Sequence, residues 1–253
     1  MQHDSPFSYT AYRQFLDVLK RTGTGRFFRE WTEGSKVFLL RHDVDLCVES
    51  ALEIAKLESE AEVKSTYFFR VTSRSYNVLA PPNNRMIREI ADRGFEVGLH
   101  FDPSVYGERE GGELVPAARQ EAETLSFVTG QPIRSVSLHA PSIHGQWPRI
   151  DGYVNAYDPR IFSDETYISD SRMLFRGKNL FTFIEKVREH TIQVLLHPLH
   201  FGEVPRTYPD ILADHLKTYI QALDEEWQLC SSTYCDQLEG TLLEHLVRRE
   251  SKS

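Results

Sequence analysis

Residues Arg41, His42, Asp43 and Asp45 follow directly on an apolar run in the stretch FLLRHDVDLC, residues 38–47. A buried strand gains nothing by ending in charge, because buried charge is costly unless it is paired or bound to a metal. Alternate side chains of a strand share a face, so Arg41, Asp43 and Asp45 fall on one side, and His42 and Val44 on the other. Two carboxylates held so close repel, and one pKa rises unless a cation neutralises its owner. A divalent metal on one carboxylate leaves its neighbour free to act as general base. The plainer reading is that Arg41 pairs with the aspartates structurally, but such a pair needs only one acid.

The same residue types recur wherever an apolar run ends. His100 and Asp102 follow FEVGL, His139 follows IRSVSL, Asp170 follows TYIS, and His197 and His200 close IQVLLHPLH. Five strand ends therefore carry metal-ligand or acid/base groups. In parallel α/β folds the loops at the carboxyl ends of the strands carry the chemistry, so these ends are expected to converge.

The elements that must bring them together alternate along the chain. KVFLLRHDVD, KSTYFFRV, FEVGLHFD and IRSVSLHAPS read as strands, followed later by TYISDSR and IQVLLHPLHF. Between them, CVESALEIAKLESE, RMIREIADRG and PAARQEAETLSFVTG read as helices, the last two stopped by glycine, and APPNN reads as loop. Further helices are expected near FTFIEKVREHT, from about 209 to 226, and in the C-terminal LEGTLLEHLVRRES. This rhythm predicts an α/β fold with a parallel sheet covered by helices, in the manner of a barrel. No repeat or linker marks a second domain, so residues 1–253 are expected to form one.

Bulk properties exclude some classes of function. A formal net charge of -8 over 253 residues, with a pI near 5.7, argues against a general nucleic-acid or anionic-membrane binder. No apolar run approaches the roughly 18–20 residues of a membrane span, and the first residues lack the pattern of a secretory signal. Cys47, Cys230 and Cys235 are few and scattered, as expected of reduced thiols in a cytoplasmic protein.

Taken in order, RHDVD, STYFFR, GFEVGLHFD, ISDSR and VLLHPLHF resemble the motifs of polysaccharide deacetylases of the NodB-homology type, carbohydrate esterase family four. Within that family the chain resembles the variety that opens with HDVD, which includes a deacetylase of lipopolysaccharide O-antigen gene clusters, and the resemblance covers about residues 37–201. It implies a distorted (β/α) barrel of about seven parallel strands, flanked here by helical extensions. It also implies removal of acetyl groups from sugars with a bound divalent metal. By resemblance Asp43 is the general base, Asp45 and His100 are metal ligands, and His197 is the general acid. The ligand set suits zinc, and cobalt, nickel or iron are compatible.

The departures are specific. The position of the family's third ligand, four residues after His100, holds Ser104, a poor substitute for imidazole. His139 or Asp102 could fill the place, and His139 is preferred because it comes from a third strand. The arginine of the family's third motif is missing from SLHAPS, so Arg41 or Arg172 would orient Asp43. Asp170 is expected to support neighbouring side chains, His200 to orient a neighbour or touch substrate, and His42 to pack beneath a helix. Trp147, with Tyr153 and Tyr157 in the same long loop, could stack on a sugar ring. His3, His190, His215 and His245 are expected to be exposed and without a role. The expected substrate is an acetamido sugar or a nucleotide- or lipid-linked sugar precursor. A hydrolase of phosphoester or non-sugar C–N bonds and a non-catalytic sugar-binding protein of the same fold are the alternatives.

Overall fold

A computed structural model of the protein describes residues 6–107, 109 and 111–250. They divide between two compact units, Met1–Pro205 and Arg206–Ser253. In the first unit seven strands form one sheet: β1 (Phe38–Val44), β2 (Ser65–Phe69), β3 (Glu96–Phe101), β4 (Ser135–Leu138), β5 (Val154–Asn155), β6 (Tyr167–Ser169) and β7 (Ile192–Leu196). Their order is β5-β4-β3-β2-β1-β7-β6, and every pairing is parallel. The sheet is a curled half-barrel with helices around it, the distorted barrel expected from the sequence. β1 lies between β2 and β7 and is buried along its whole length. That is why the strand opens on an unbroken apolar run, Phe38–Leu40, rather than an alternation.

Parallel order has one decisive effect: all carboxyl ends open on the same side of the sheet. Asp45 follows β1, Asp102 follows β3, His139 follows β4, Asp170 follows β6 and His197 follows β7. His100 is the penultimate residue of β3.

The helices of this unit are α1 (Tyr9–Thr22), α2 (Val48–Ala61), α3 (Pro81–Asp92) and α4 (Gly111–Thr129), with the short α5 (Pro141–His144) and α6 (Leu180–Ile184). Ser8 caps α1 by accepting from Ala11 N at 3.1 Å, and Tyr12, Phe15, Leu16 and Leu19 form its buried stripe. The segment APPNN, expected as loop, supplies the first turn of α3 instead. Proline is tolerated there because its missing N–H would have no intrahelical partner. Gly94, at φ +92°, turns the chain after that helix as expected. The helix expected from Pro116 starts earlier, at Gly111, with Pro116 inside it. The long loop after β4 also contains a strand that periodicity could not reveal, the two-residue β5.

The second unit holds α7 (Tyr208–Cys230), α8 (Ser232–Gln237) and α9 (Leu242–Glu250), so the helix expected over 209–226 continues to Cys230. Asp224 ties the three together, accepting from Gln228 Nε2 at 3.0 Å, the Tyr234 hydroxyl at 2.7 Å and Leu242 N at 3.0 Å. No helix among the described residues is long and apolar enough to cross a membrane. His245 is exposed as expected, whereas His190 and His215 are partly buried. His3 lies outside the described residues.

Candidate metal centre

Three donor atoms meet at the mouth of the sheet. Asp45 Oδ1 lies 3.1 Å from His100 Nε2 and 3.0 Å from His139 Nδ1, and the two imidazole nitrogens are 3.3 Å apart. The backbone explains the convergence. A hydrogen bond from His139 N to Phe101 O, at 2.7 Å, carries the β3–β4 ladder one step past β4. The chain then turns away at Ala140, whose φ of 44° is left-handed and costs a non-glycine residue about 1–2 kcal/mol. Backbone strain of this kind gathers at functional sites. Beside Asp45, the Tyr76 hydroxyl donates to Val44 O at 2.6 Å and fixes the end of β1.

Hydrogen bonding settles which His100 nitrogen faces the centre with a lone pair. His100 Nδ1 lies 2.6 Å from Ser137 Oγ, and that hydroxyl donates to Asp43 Oδ1 at 3.3 Å. With its proton committed to Asp43, Ser137 accepts from His100 Nδ1–H, and Nε2 is left unprotonated. Burial lowers the His100 pKa, in spite of Asp43 and Asp45 beside it, and so favours the neutral ring. With His139 Nδ1 unprotonated as well, two imidazole lone pairs and one carboxylate oxygen would lie 3.0–3.3 Å apart, an arrangement that a cation among them stabilises. A tetrahedral zinc with bonds of about 2.0–2.1 Å sets its ligands about 3.3–3.4 Å apart, so this donor set fits such an ion. Among the described residues, Asp45, His100 and His139 form one of two groups that could hold a metal; Asp170, His197 and His200 form the other.

Asp102, the rival of His139, is engaged elsewhere. Its Oδ2 receives Arg70 Nη2 at 2.6 Å, while its Oδ1 receives the Ser104 amide and hydroxyl at 3.1 and 2.6 Å. Asp102 is thus the cap of the turn that follows β3, and Ser104 serves that cap.

Asp43 stands one step below the donor trio. Arg41 grips both its oxygens, Nε to Oδ1 at 2.8 Å and Nη2 to Oδ2 at 2.7 Å, and both side chains are buried. Oδ2 lies 3.7 Å from His100 Nε2. Burial pushes the Asp43 carboxyl up, but Arg41, together with His100 and His197, outweighs it and holds the group below the usual carboxylate range. Arg41 is itself held by Gln193 Oε1 at 3.0 Å and the Tyr157 hydroxyl at 3.1 Å. Arg172, the other arginine considered for Asp43, is exposed, with a left-handed φ of 64°.

On the opposite side His197 directs Nε2 to within 3.7 Å of Asp45 Oδ2. Its Nδ1 lies 2.6 Å from Asp170 Oδ1, and its backbone N–H donates to the same carboxylate. His200 Nδ1 lies 2.8 Å from the other oxygen, so Asp170 anchors both rings. Burial lowers the His197 pKa, but Asp170 and then Asp45 override it and raise the value to about 9. His197 therefore carries a proton at neutral pH.

Trp147 is half-exposed and meets Tyr157 edge-on at 5.3 Å, one aromatic ring away from Arg41. His42 points to the other face, as expected. Its Nε2 lies 2.7 Å from Glu58 of α2, which also accepts from the hydroxyls of Tyr12, Ser65 and Tyr67. Sequence reasoning overlooked Ser137 and Gln193, and it named Tyr157 as a stacking ring rather than as a partner of Arg41. Ser137 and Gln193 share a strand face with a histidine, His139 at a spacing of two and His197 at a spacing of four, which was the available signal.

No family model matches this chain, and no curated protein matches it. Several solved structures do. The chitin deacetylase of the fungal pathogen Colletotrichum lindemuthianum is 19% identical, with 78% of this chain and 87% of that chain covered and a TM-score of 0.44. The peptidoglycan deacetylase PdaC of Bacillus subtilis is 12% identical, covers 78% of this chain and 100% of its own, and has a TM-score of 0.41. A CE4 family pseudoenzyme of Bacillus anthracis is 19% identical over 77% of this chain, with a TM-score of 0.42. The chain spans 63% of the length of that protein, under two thirds.

Proposed function

We propose that this chain is a metal-dependent hydrolase that removes the acetyl group from an acetamido sugar. The observation that supports this most is the meeting of Asp45, His100 and His139 at one point, with Asp43 and His197 on either side of it. The motif order RHDVD, GFEVGLHFD, VLLHPLHF adds the substrate class by resemblance. Asp45, His100 and His139 would hold the ion, zinc first, or cobalt, nickel or iron. When bound, the metal supplies a Lewis acid for the acetyl carbonyl and lowers the pKa of water.

The remaining work falls to protein groups. Asp43 accepts the proton of the attacking water, and Arg41 keeps its carboxylate ionised and fixed in direction. His197, protonated at neutral pH, gives its proton to the departing amide nitrogen, which is otherwise a very poor leaving group. Asp170 orients His197 and stabilises its charged form, and His200 completes the hydrogen bonding of Asp170. Trp147 offers an aromatic plane to the apolar face of a sugar ring.

The three cysteines are free, which suits a reducing compartment. The substrate that fits a cytoplasmic site is a nucleotide- or lipid-linked precursor of a surface polysaccharide, as in the HDVD variety. The test is acetate release from a panel of acetamido sugars by zinc-loaded protein, with Asp43→Asn beside it. The variant should bind as much zinc as the parent and lose turnover; full turnover in Asp43→Asn would remove Asp43 from the reaction. Failure of the parent to take up zinc would favour a non-catalytic sugar-binding protein instead.

A further inference from the structure

Asp170 is fully buried and anchors His197, and from it a line of contacts runs to the amino-terminal segment. The second Asp170 oxygen meets His200 Nδ1 at 2.8 Å. The His200 ring, only 6% exposed, is covered by Phe7, whose ring meets it edge-on at 5.6 Å and 75°. Phe7 is 4% exposed and also meets Phe201 edge-on at 5.6 Å. A backbone clasp fixes this position: Tyr9 N donates to Gly202 O at 2.9 Å, and Gly202 N donates to Phe7 O at 3.2 Å.

An imidazole turns about χ1 and χ2 unless its neighbours prevent it. Phe7 covers the His200 ring in the orientation in which Nδ1 faces Asp170. Without the ring His200 can swing towards solvent, and Asp170 then loses one of its donors. Asp170 is then held only by the amide and Nδ1 of His197, and the direction of that imidazole loses a constraint. Its Nε2 must point to the centre beside Asp45.

The geometry points to Phe7 as a positioning residue for the acid: its ring holds His200 against Asp170 and thereby sets the direction of His197. Phe7 itself reaches no reacting atom. This inference rests on the reading of His197 as the proton donor. It adds a part for the amino-terminal segment, which lies outside the stretch that carries the sequence motifs.

The experiment compares the zinc-loaded full chain with Phe7→Ala, Phe7→Val and Phe7→Leu. Imidazole NMR reads the Nδ1 protons that His197 and His200 place on Asp170, and needs no turnover. Zinc content and the kcat and KM for acetate release are measured on the same samples. In Phe7→Ala both Nδ1 signals should shift or broaden, and kcat should fall about tenfold, since small misplacements of a reacting group carry penalties of this order or more. KM and zinc content should stay at the parent values. Phe7→Leu, which refills most of the volume, should restore the signals and most of kcat. Should Phe7→Ala fail to fold, Phe7→Val reads the same effects at smaller amplitude. Unchanged imidazole signals in a folded truncation overturn the inference, and so does an unchanged kcat. Absence of acetate release from the parent itself would strike the proposed reaction instead, and the NMR comparison would still decide the role of Phe7.

Discussion

Replacement of Arg41 by methionine tests the heart of the site. Methionine keeps much of the apolar stem and removes every donor. In the parent, two charge-assisted bonds at 2.7 and 2.8 Å join Arg41 to Asp43, whose exposure is only 4%. After the change, Asp43 keeps only the Ser137 hydroxyl at 3.3 Å among its hydrogen bonds. Removing one partner of a buried pair costs about 3–5 kcal/mol, because the remaining charge stays desolvated. The lost bonds to Gln193 and Tyr157 place the expectation in the upper part of that range. The pH dependence should also change sign. In the parent the folded carboxyl of Asp43 titrates below its unfolded value of about 3.9, so its contribution is present above that pH and lost as pH falls. In Arg41→Met burial is opposed only by His100, His197 and the Ser137 hydroxyl; the folded value is expected to move above about 3.9, and stability then declines as pH rises through it. Urea unfolding of the metal-free proteins should therefore show a larger deficit at pH 7.5 than at pH 5. The double variant Arg41→Met/Asp43→Asn, with neither charge left, should recover most of the loss. A deficit below about 1 kcal/mol, the level of an exposed pair, would refute the reasoning, as would a deficit that shrinks with rising pH.

Three further outcomes follow from the same geometry. His139→Ala should lower zinc affinity more than about 100-fold, beyond the effect of losing a partner behind a ligand, whereas Asp102→Asn should leave it near the parent value; metal content after dialysis separates them. Glu58→Ala leaves the hydroxyls of Tyr12, Ser65 and Tyr67 and the His42 ring without their shared acceptor. It should cost about 3–5 kcal/mol in thermal or urea unfolding. Burial raises the Glu121 carboxyl to about 7, so its contribution is present below the unfolded value and lost as pH rises through about 7. Glu121→Gln should remove that slope from stability measured between pH 5 and 8.

Strand ends were legible in the sequence because a parallel sheet leaves its chemistry where each apolar run stops. Asp45, His100, His139 and His197 could be picked out one at a time for that reason. Their mutual distances could not, because these depend on the register between strands, such as His100 opposite Ser137 and His42 opposite Leu196. Ser137 and Gln193, and the bond of Tyr157 to Arg41, escaped notice for the same reason: each acts through a partner at least 37 positions away in the chain. APPNN misled in a different way. Two prolines and two asparagines look like loop by composition, but proline in a first helical turn lacks only an N–H that has no use there.

The departures from the family pattern share one physical logic. Resemblance places a third imidazole at 104, where this chain has serine, and an arginine in the third motif, where it has none. At the mouth of the sheet His139 comes to the same Asp45 oxygen that His100 approaches, at 3.0 and 3.1 Å. Arg41, two residues before Asp43 on the same strand face, reaches both oxygens of that carboxylate. Each donor has a new chain position and an ordinary destination. A metal centre constrains where donor atoms converge, and it places no condition on which loop delivers them. Relocation has local consequences too: Ser104, with no imidazole, ties its amide and hydroxyl to Asp102, and Asp102 in turn holds Arg70. Asp102 would have to release Arg70 and Ser104 to serve as a ligand, and this favours His139 as the third donor of the proposed centre.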